Sequence, residues 1–69
     1  MDEFIFSLGQ TGEVFIVRAE DSDKALILCL KETKWNLNQI LYIGKTTDVE
    51  AQPYLGKKNA IHFIPGRNP

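Results

Sequence analysis

The chain has only one cysteine and one histidine among its 69 residues. A single cysteine excludes an intrachain disulfide and any zinc site built from paired thiols. No apolar run approaches the roughly 20 residues that span a bilayer, since the longest, residues 25–30, is followed by Lys31 and Glu32. Asp2 and Glu3 stand where a signal peptide would carry basic residues. We therefore expect a cytoplasmic protein in a reducing compartment, with no cofactor and no membrane partner.

The chain also lacks a large excess of either charge, since its eight basic and nine acidic side chains leave a formal net charge of −1. This balance excludes the strongly basic field that drives non-specific nucleic-acid binding. The two signs are nevertheless segregated: residues 1–23 contain six acids against Arg18 alone, whereas residues 24–69 contain seven bases against three acids. Such polarity would orient a partner or a second copy if it persisted in the fold, and is otherwise an ordinary solvated surface.

The apolar content, 43% of residues, is sufficient for one small core. Residues 4–8 and 14–19 are aromatic and β-branched runs separated by Gly9 and Gly12, which predicts a β-hairpin. Alternation along the two strands places one apolar set on each face. The first set is Phe4, Phe6, Leu8, Phe15, Val17 and Ala19, and the second is Ile5, Val14 and Ile16.

A helix of about twelve residues is predicted after the hairpin. Asp21 is a suitable N-cap, and Asp23 complements the positive end of the helix dipole. The buried stripe would hold Ala25, Leu26, Leu28 and Cys29, whereas Ile27 falls among the lysines of the opposite side. Ile27 is therefore either a protein contact or a single exposed aliphatic side chain of the kind that most monomers carry.

Two further strands are predicted beyond the helix. Residues 40–43 form the first, which stops at Gly44, and residues 60–64 form the second. The order of elements is then ββαββ in a single domain of residues 1–65, followed by a loose tail of residues 66–69.

The connection between these two strands, residues 45–59, is long for so small a domain. Residues 47–50 have the spacing of a capping box, which predicts one helical turn that ends at Pro53. Connections of this length are more often functional or mobile than accidental.

Residues 42–48 contain two partial motifs. Gly44 and Lys45 follow a strand as in a P-loop, but that motif requires a further glycine where Gln39 stands. The same stretch resembles the second half of the signature of GIY-YIG endonucleases. The Gly-Ile-Tyr half is absent upstream and no arginine follows Asp48 in this segment, so the charge stabilisation required for phosphodiester cleavage is missing. The segment is interpreted as the end of an ordinary strand, and a minimal nuclease is the least favoured hypothesis.

Cys29 and His62 are the remaining candidates for catalysis. Nothing near Cys29 in the sequence would keep its thiol deprotonated, and no carboxylate lies near His62 to complete a metal site. A domain of this size also rarely encloses a catalytic pocket. We therefore expect no catalytic residue, no metal site and no enzymatic activity.

The expected fold is an α+β two-layer sandwich: a mostly antiparallel sheet of about four strands with one helix on one face. One helix covers one face only, so the face formed by Ile5, Val14 and Ile16 is expected to stay open. This predicts a non-enzymatic interaction module that binds a protein partner or a second copy through that face or a sheet edge, with Ile27 as a further contact. Small accessory proteins of phages and mobile elements, some of which inhibit host nucleases, share this size and cofactor-free design.

The alternative is a weak nucleic-acid-binding accessory protein that uses the long connection. Lys45, Lys57 and Lys58 would contact phosphates, and Tyr54 would stack on a base. Two adjacent lysines in a loop are also common as plain solvated surface, which leaves this hypothesis second.

Overall fold

The computed structural model describes residues 1–9, 11–56 and 61–65 of the chain. It has the predicted α+β fold, with four strands and one α-helix. The strands are β1 (Asp2–Leu8), β2 (Val14–Ala19), β3 (Ile40–Lys45) and β4 (Ile61–Ile64), and the helix α1 spans Ser22–Thr33. Two 3₁₀ helices, Leu37–Gln39 and Val49–Gly56, flank β3. The predicted tail, residues 66–69, and Ala60 of the predicted last strand lie outside the described residues.

The sheet is mixed but mostly antiparallel, in the order β3-β1-β2-β4. β1 is antiparallel to both β2 and β3, whereas β4 is parallel to β2. β3 and β4 therefore run in the same direction at opposite edges of the sheet. The chain that joins them has to cross the whole width of the sheet, about 14 Å at the usual strand spacing.

Helix α1 begins where the sequence predicts, and it covers the first face of the sheet as expected. The Asp21 side chain accepts a hydrogen bond from the backbone N–H of Lys24 at 2.8 Å, and Lys34 ends the helix in a left-handed conformation. Ala25 and Cys29 are buried against the predicted hairpin face, and Arg18 points to solvent. Within the part of the chain that the structure describes, no helix has both the length and the apolar character needed to cross a membrane.

The middle of the second face of the sheet is covered by the chain itself, whereas Leu41 and Phe63 on the two edge strands of that face stay exposed. The 3₁₀ helix Val49–Gly56 lies over this face, and its Ala51 joins Ile5 and Val14 in a second core cluster in which all three residues are 0% exposed. Tyr54 and Leu55 pack against the same cluster. The prediction of an open face is therefore wrong for Ile5 and Val14, and Ile16 is half-buried. The cover results from the strand order, which carries the β3–β4 connection across this face.

Two boundaries near β3 also differ from the prediction. β3 continues through Gly44 to Lys45, with Ile43 inserted as a β-bulge between the pairs Ile5–Gly44 and Phe6–Tyr42. Pro53 does not end the following helical segment but lies inside it. The fixed φ of proline is compatible with helical backbone, and its cost there is a missing N–H donor.

Candidate interaction surface

The predicted protein contacts divide into buried and exposed residues. Ile5 and Val14 are enclosed in the second core cluster, so they are unavailable to a partner in the folded chain. Ile27 lies on the outer side of α1 and is 64% exposed, which confirms the exposure predicted for it. Lys24 and Lys31 on the same helix are exposed as well, so exposure alone does not identify a contact. The role of Ile27 as a contact stays a prediction.

A different set of exposed apolar side chains lies at the β3 edge of the sheet. We define the β3 surface as Leu37, Leu41 and Tyr42, all of which are exposed. Leu41 is paired opposite Ser7 and Tyr42 opposite Phe6, so the two side chains lie on opposite faces of the edge strand. α1 packs mainly against β2, and of the β3 side chains on its face Ile40 packs against the core whereas Tyr42 stays exposed.

The Tyr42 ring is held in place although nearly half of the residue is exposed. Its ring centroid lies 5.4 Å from that of Phe6 and 6.4 Å from that of Phe4, in both cases with tilted planes. Phe4 and Phe6 are buried in the core below α1. Tyr42 therefore presents an aromatic surface that loses little conformational freedom when a partner covers it.

The backbone edge of β3 is partly closed. Gly9 donates to the carbonyl of Gln39 and Thr46 donates to that of Glu3, so the antiparallel alternation turns the backbone groups of Ile40, Tyr42 and Lys45 outward.

Turns at the two ends of the strand satisfy three of these six outward groups. The N–H of Ile40 donates to Leu37, that of Lys45 donates to the Asp48 carboxylate at 2.9 Å, and the Lys45 carbonyl accepts from the Asp48 N–H at 3.0 Å. Among the described residues, the Ile40 carbonyl and the two groups of Tyr42 remain for a partner strand. An added strand would therefore gain few backbone hydrogen bonds here, and recognition depends on side chains.

The residues of the nucleic-acid hypothesis are not brought together by the part of the fold that is described. Lys45 lies on the α1 side of the sheet, where its ammonium is 3.4 Å from Asp2 and 5.9 Å from the centroid of the Phe4 ring. Tyr54 packs on the opposite face of the sheet. Lys57 and Lys58 lie outside the described residues. The hypothesis therefore gains no shared surface from Lys45 and Tyr54.

Cys29 and His62, the two residues considered for catalysis, are each held by contacts within the fold. Burial raises the pKa of the Cys29 thiol to about 11, which keeps it neutral and a poor nucleophile at physiological pH. His62 Nε2 lies 2.7 Å from a carboxylate oxygen of Glu13, and its ring stacks on Phe15 at 4.7 Å. Within residues 1–9, 11–56 and 61–65, no group of three His, Cys, Asp or Glu side chains is arranged to hold a metal ion.

The β3 surface was missed at the sequence level for a physical reason. The run 40–43 is apolar on both sides, which is typical of a central strand covered on both faces. Strand order decides whether such a run is central or at an edge, and local sequence does not encode that order.

Similarity to known proteins adds nothing to this geometry. The scan against protein-family models found no matching family, and searches of the curated proteins and of the solved structures found no matching protein.

Proposed function

We propose that this chain is a non-enzymatic protein-binding module whose docking surface is the β3 surface. The observation that carries the proposal is that Leu37, Leu41 and Tyr42 are exposed on or directly before one edge strand, in a chain that buries the central strands of its sheet on both faces. A domain of this size has a small hydrophobic core. Leaving two leucines and a tyrosine exposed to solvent adds nothing to its stability. A partner that covers them removes this unfavourable exposure.

The binding free energy that these three side chains can contribute on their own is limited. Burying their exposed parts contributes on the order of 3–5 kcal/mol, at about 1.5–3 kcal/mol for complete burial of one large apolar side chain. Association costs an estimated 4–15 kcal/mol in lost translational and rotational freedom. The β3 surface therefore supports specific binding only together with further contacts around it, and polar groups beside Tyr42 are the nearest source of them.

The experiment compares two matched substitutions of exposed aliphatic residues. Leu41 is 60% exposed and Ile27 is 64% exposed, so Leu41→Lys and Ile27→Lys each add one charge at a wet position without opening the core. Purified wild-type chain and both variants are used to capture proteins from an extract of the producing cell, with quantitative mass spectrometry as the readout. We expect Leu41→Lys to lower the yield of the specific partner by about tenfold or more, which corresponds to about 1.4 kcal/mol. Ile27→Lys should leave that yield unchanged.

Two outcomes would contradict the proposal. The first is a partner retained equally by Leu41→Lys, and the second is a partner lost only in Ile27→Lys, which would place the contact on α1. Sedimentation equilibrium at several concentrations identifies a second copy as the partner: in that case the wild type self-associates and Leu41→Lys is monomeric.

A further inference from the structure

The edge of β3 lacks the residues that usually keep an edge strand from pairing with another chain. Residues 36–44 contain no charged side chain and no proline, the two kinds of residue that most often protect such edges. The opposite edge strand, β4, exposes Phe63 but has this protection. The Glu13 carboxylate lies 2.7 Å from His62 Nε2, and Pro65 follows the strand directly. Of the two edges, β3 is therefore the one suited to pair with another strand.

The backbone groups left over on this edge are complementary to themselves. Tyr42 directs both its N–H and its C=O outward, and within the described part of the chain neither group has a partner. The turns at the two ends of the strand already use the N–H of Ile40 and both groups of Lys45. In an antiparallel ladder, two residues of a hydrogen-bonded pair exchange both of their N–H···O bonds. Tyr42 of one copy therefore offers the two groups that Tyr42 of a second copy requires.

We propose that the partner of the β3 surface is a second copy of this chain, paired antiparallel along β3 with a two-fold axis at Tyr42. The two four-stranded sheets then form one continuous sheet, in which both copies of β3 are central strands. This position accounts for residues 40–43, which are apolar on both sides as in a central strand. The inference rests on the proposed function, since it names the partner of that same surface.

This register covers exposed apolar side chains on both faces of the sheet. On the α1 side, the two Tyr42 rings become direct cross-strand neighbours, and each packs against Phe6 of its own chain. On the other side, Leu41 of each copy lies opposite Ile43 of the second copy. Ile43 packs against the second core cluster, so Leu41 extends that cluster across the interface. Both copies contribute the same side chains, which doubles the apolar burial that one copy supplies.

A shift of the axis by one residue gives a poorer pair. With the axis at Leu41, the Tyr42 carbonyl of one copy faces the Ile40 N–H of the other, which is already bonded to Leu37. That carbonyl would stay unbonded in the middle of the interface, which is costly once water is excluded. With the axis at Tyr42, the central groups are all paired, and the unbonded Ile40 carbonyl lies toward the end of the pair, nearer to solvent.

The test is a charge exchange at the axis, followed by sedimentation equilibrium of the intact chain. The wild type should pass from one copy toward two between about 10 μM and 1 mM, as is typical of a small interface. Tyr42→Lys and Tyr42→Glu should each weaken self-association about tenfold or more, because each places like charges directly opposite one another. An equimolar mixture of the two variants should associate at least about fivefold more tightly than either alone, since the axis then joins opposite charges.

Matched controls separate the axis from general charge effects. Ile27 is exposed on α1, so Ile27→Lys and Ile27→Glu should self-associate like the wild type, both alone and mixed. Circular dichroism shows whether the Tyr42 variants are folded. A readout on the wild type needs no variant: in a mixture of ¹³C-labelled and unlabelled chains, isotope-filtered nuclear Overhauser spectra should show cross-peaks between Leu41 of one copy and Ile43 of the other.

The outcomes also distinguish this inference from the proposed function. A wild type that stays monomeric through this range, folded Tyr42 variants that associate no better mixed than alone, or absence of the Leu41–Ile43 cross-peaks would overturn the inference. If the wild type stays monomeric while Leu41→Lys still abolishes capture of a partner, only the identity of the partner is wrong. If self-association persists in Tyr42→Lys and Leu41→Lys but is lost in Ile27→Lys, the β3 surface is wrong as the docking site.

Discussion

Replacing Ile5 by alanine is expected to lower the free energy of unfolding by about 2–4 kcal/mol. Ile5 is 0% exposed and packs with Val14 and Ala51 between the sheet and the 3₁₀ helix Val49–Gly56. Removing three carbons there loses burial and leaves a cavity that the rigid strands cannot fill. Domains of this size have only about 3–5 kcal/mol of stability, so the variant should be close to its unfolding midpoint without denaturant. Urea titration followed by circular dichroism measures the change.

The control for this prediction is Ile27→Ala. Ile27 is exposed on α1, and alanine is the better helix former, so we expect a change of no more than about 0.5 kcal/mol. If Ile5 were on an open face, its substitution would resemble that of Ile27. An Ile5→Ala variant as stable as the wild type would therefore disprove the packing described for the second face.

Gly44→Ala is expected to cost about 1–3 kcal/mol in unfolding free energy. Gly44 follows the bulge residue with a φ of +149°, a backbone conformation that residues with a Cβ rarely adopt. An added Cβ would lie 2.7 Å from the Asp48 carboxylate oxygen Oδ2. Asp48 can turn away to relieve this contact, but the same oxygen accepts the hydrogen bond from the Lys45 N–H. The substitution therefore either strains the backbone or opens the turn that follows β3.

Two controls isolate the cause of this loss. Gly9→Ala should be nearly neutral, because a Cβ at Gly9 meets no atom within 4 Å and its backbone is not in the left-handed region. In an Asp48→Ala background the added methyl at Gly44 meets no carboxylate, so the further cost of Gly44→Ala should fall to the backbone strain alone. Additive costs of the two substitutions would show that Gly44 and Asp48 do not act together.

Local signals in the sequence were sufficient for the hairpin and the helix. The alternation of residues 4–8 and 14–19 predicted which side chains face α1, and the Asp21 carboxylate caps the helix as its position indicated. These features depend on residues close together in the chain. The side-chain direction along a strand and the capping hydrogen bond of a helix follow directly from that spacing.

The cover of the second face could not be read from the sequence in the same way, because it depends on strand order. A signal did exist: Ala51, Tyr54 and Leu55 have the three- and four-residue spacing of one helical face. Pro53 led to the prediction that the helical turn ends before that face is complete. Once β3 and β4 lie at opposite edges, the same residues become the cover of Ile5 and Val14.

The docking surface was mislocated for the same reason. Counting one helix against two sheet faces predicted an open face, and this made Ile5, Val14 and Ile16 appear to be contacts. The folded chain closes that face over Ile5 and Val14 and leaves apolar side chains exposed at the edge strands instead, Leu41 and Tyr42 on β3 and Phe63 on β4. Residue types alone identified a surplus of apolar surface, whereas its location depended on how the elements pair.

The central claim is that this chain buries the two central strands of its sheet on both faces, and isotope-edited nuclear Overhauser spectroscopy on the monomer tests it most directly. We predict cross-peaks between the Ala51 methyl group and the methyl groups of Ile5 and Val14. We also predict that a soluble paramagnetic agent leaves these methyl signals protected while it broadens those of Ile27. Absence of the cross-peaks, with Ile5 and Val14 broadened as strongly as Ile27, would contradict the claim.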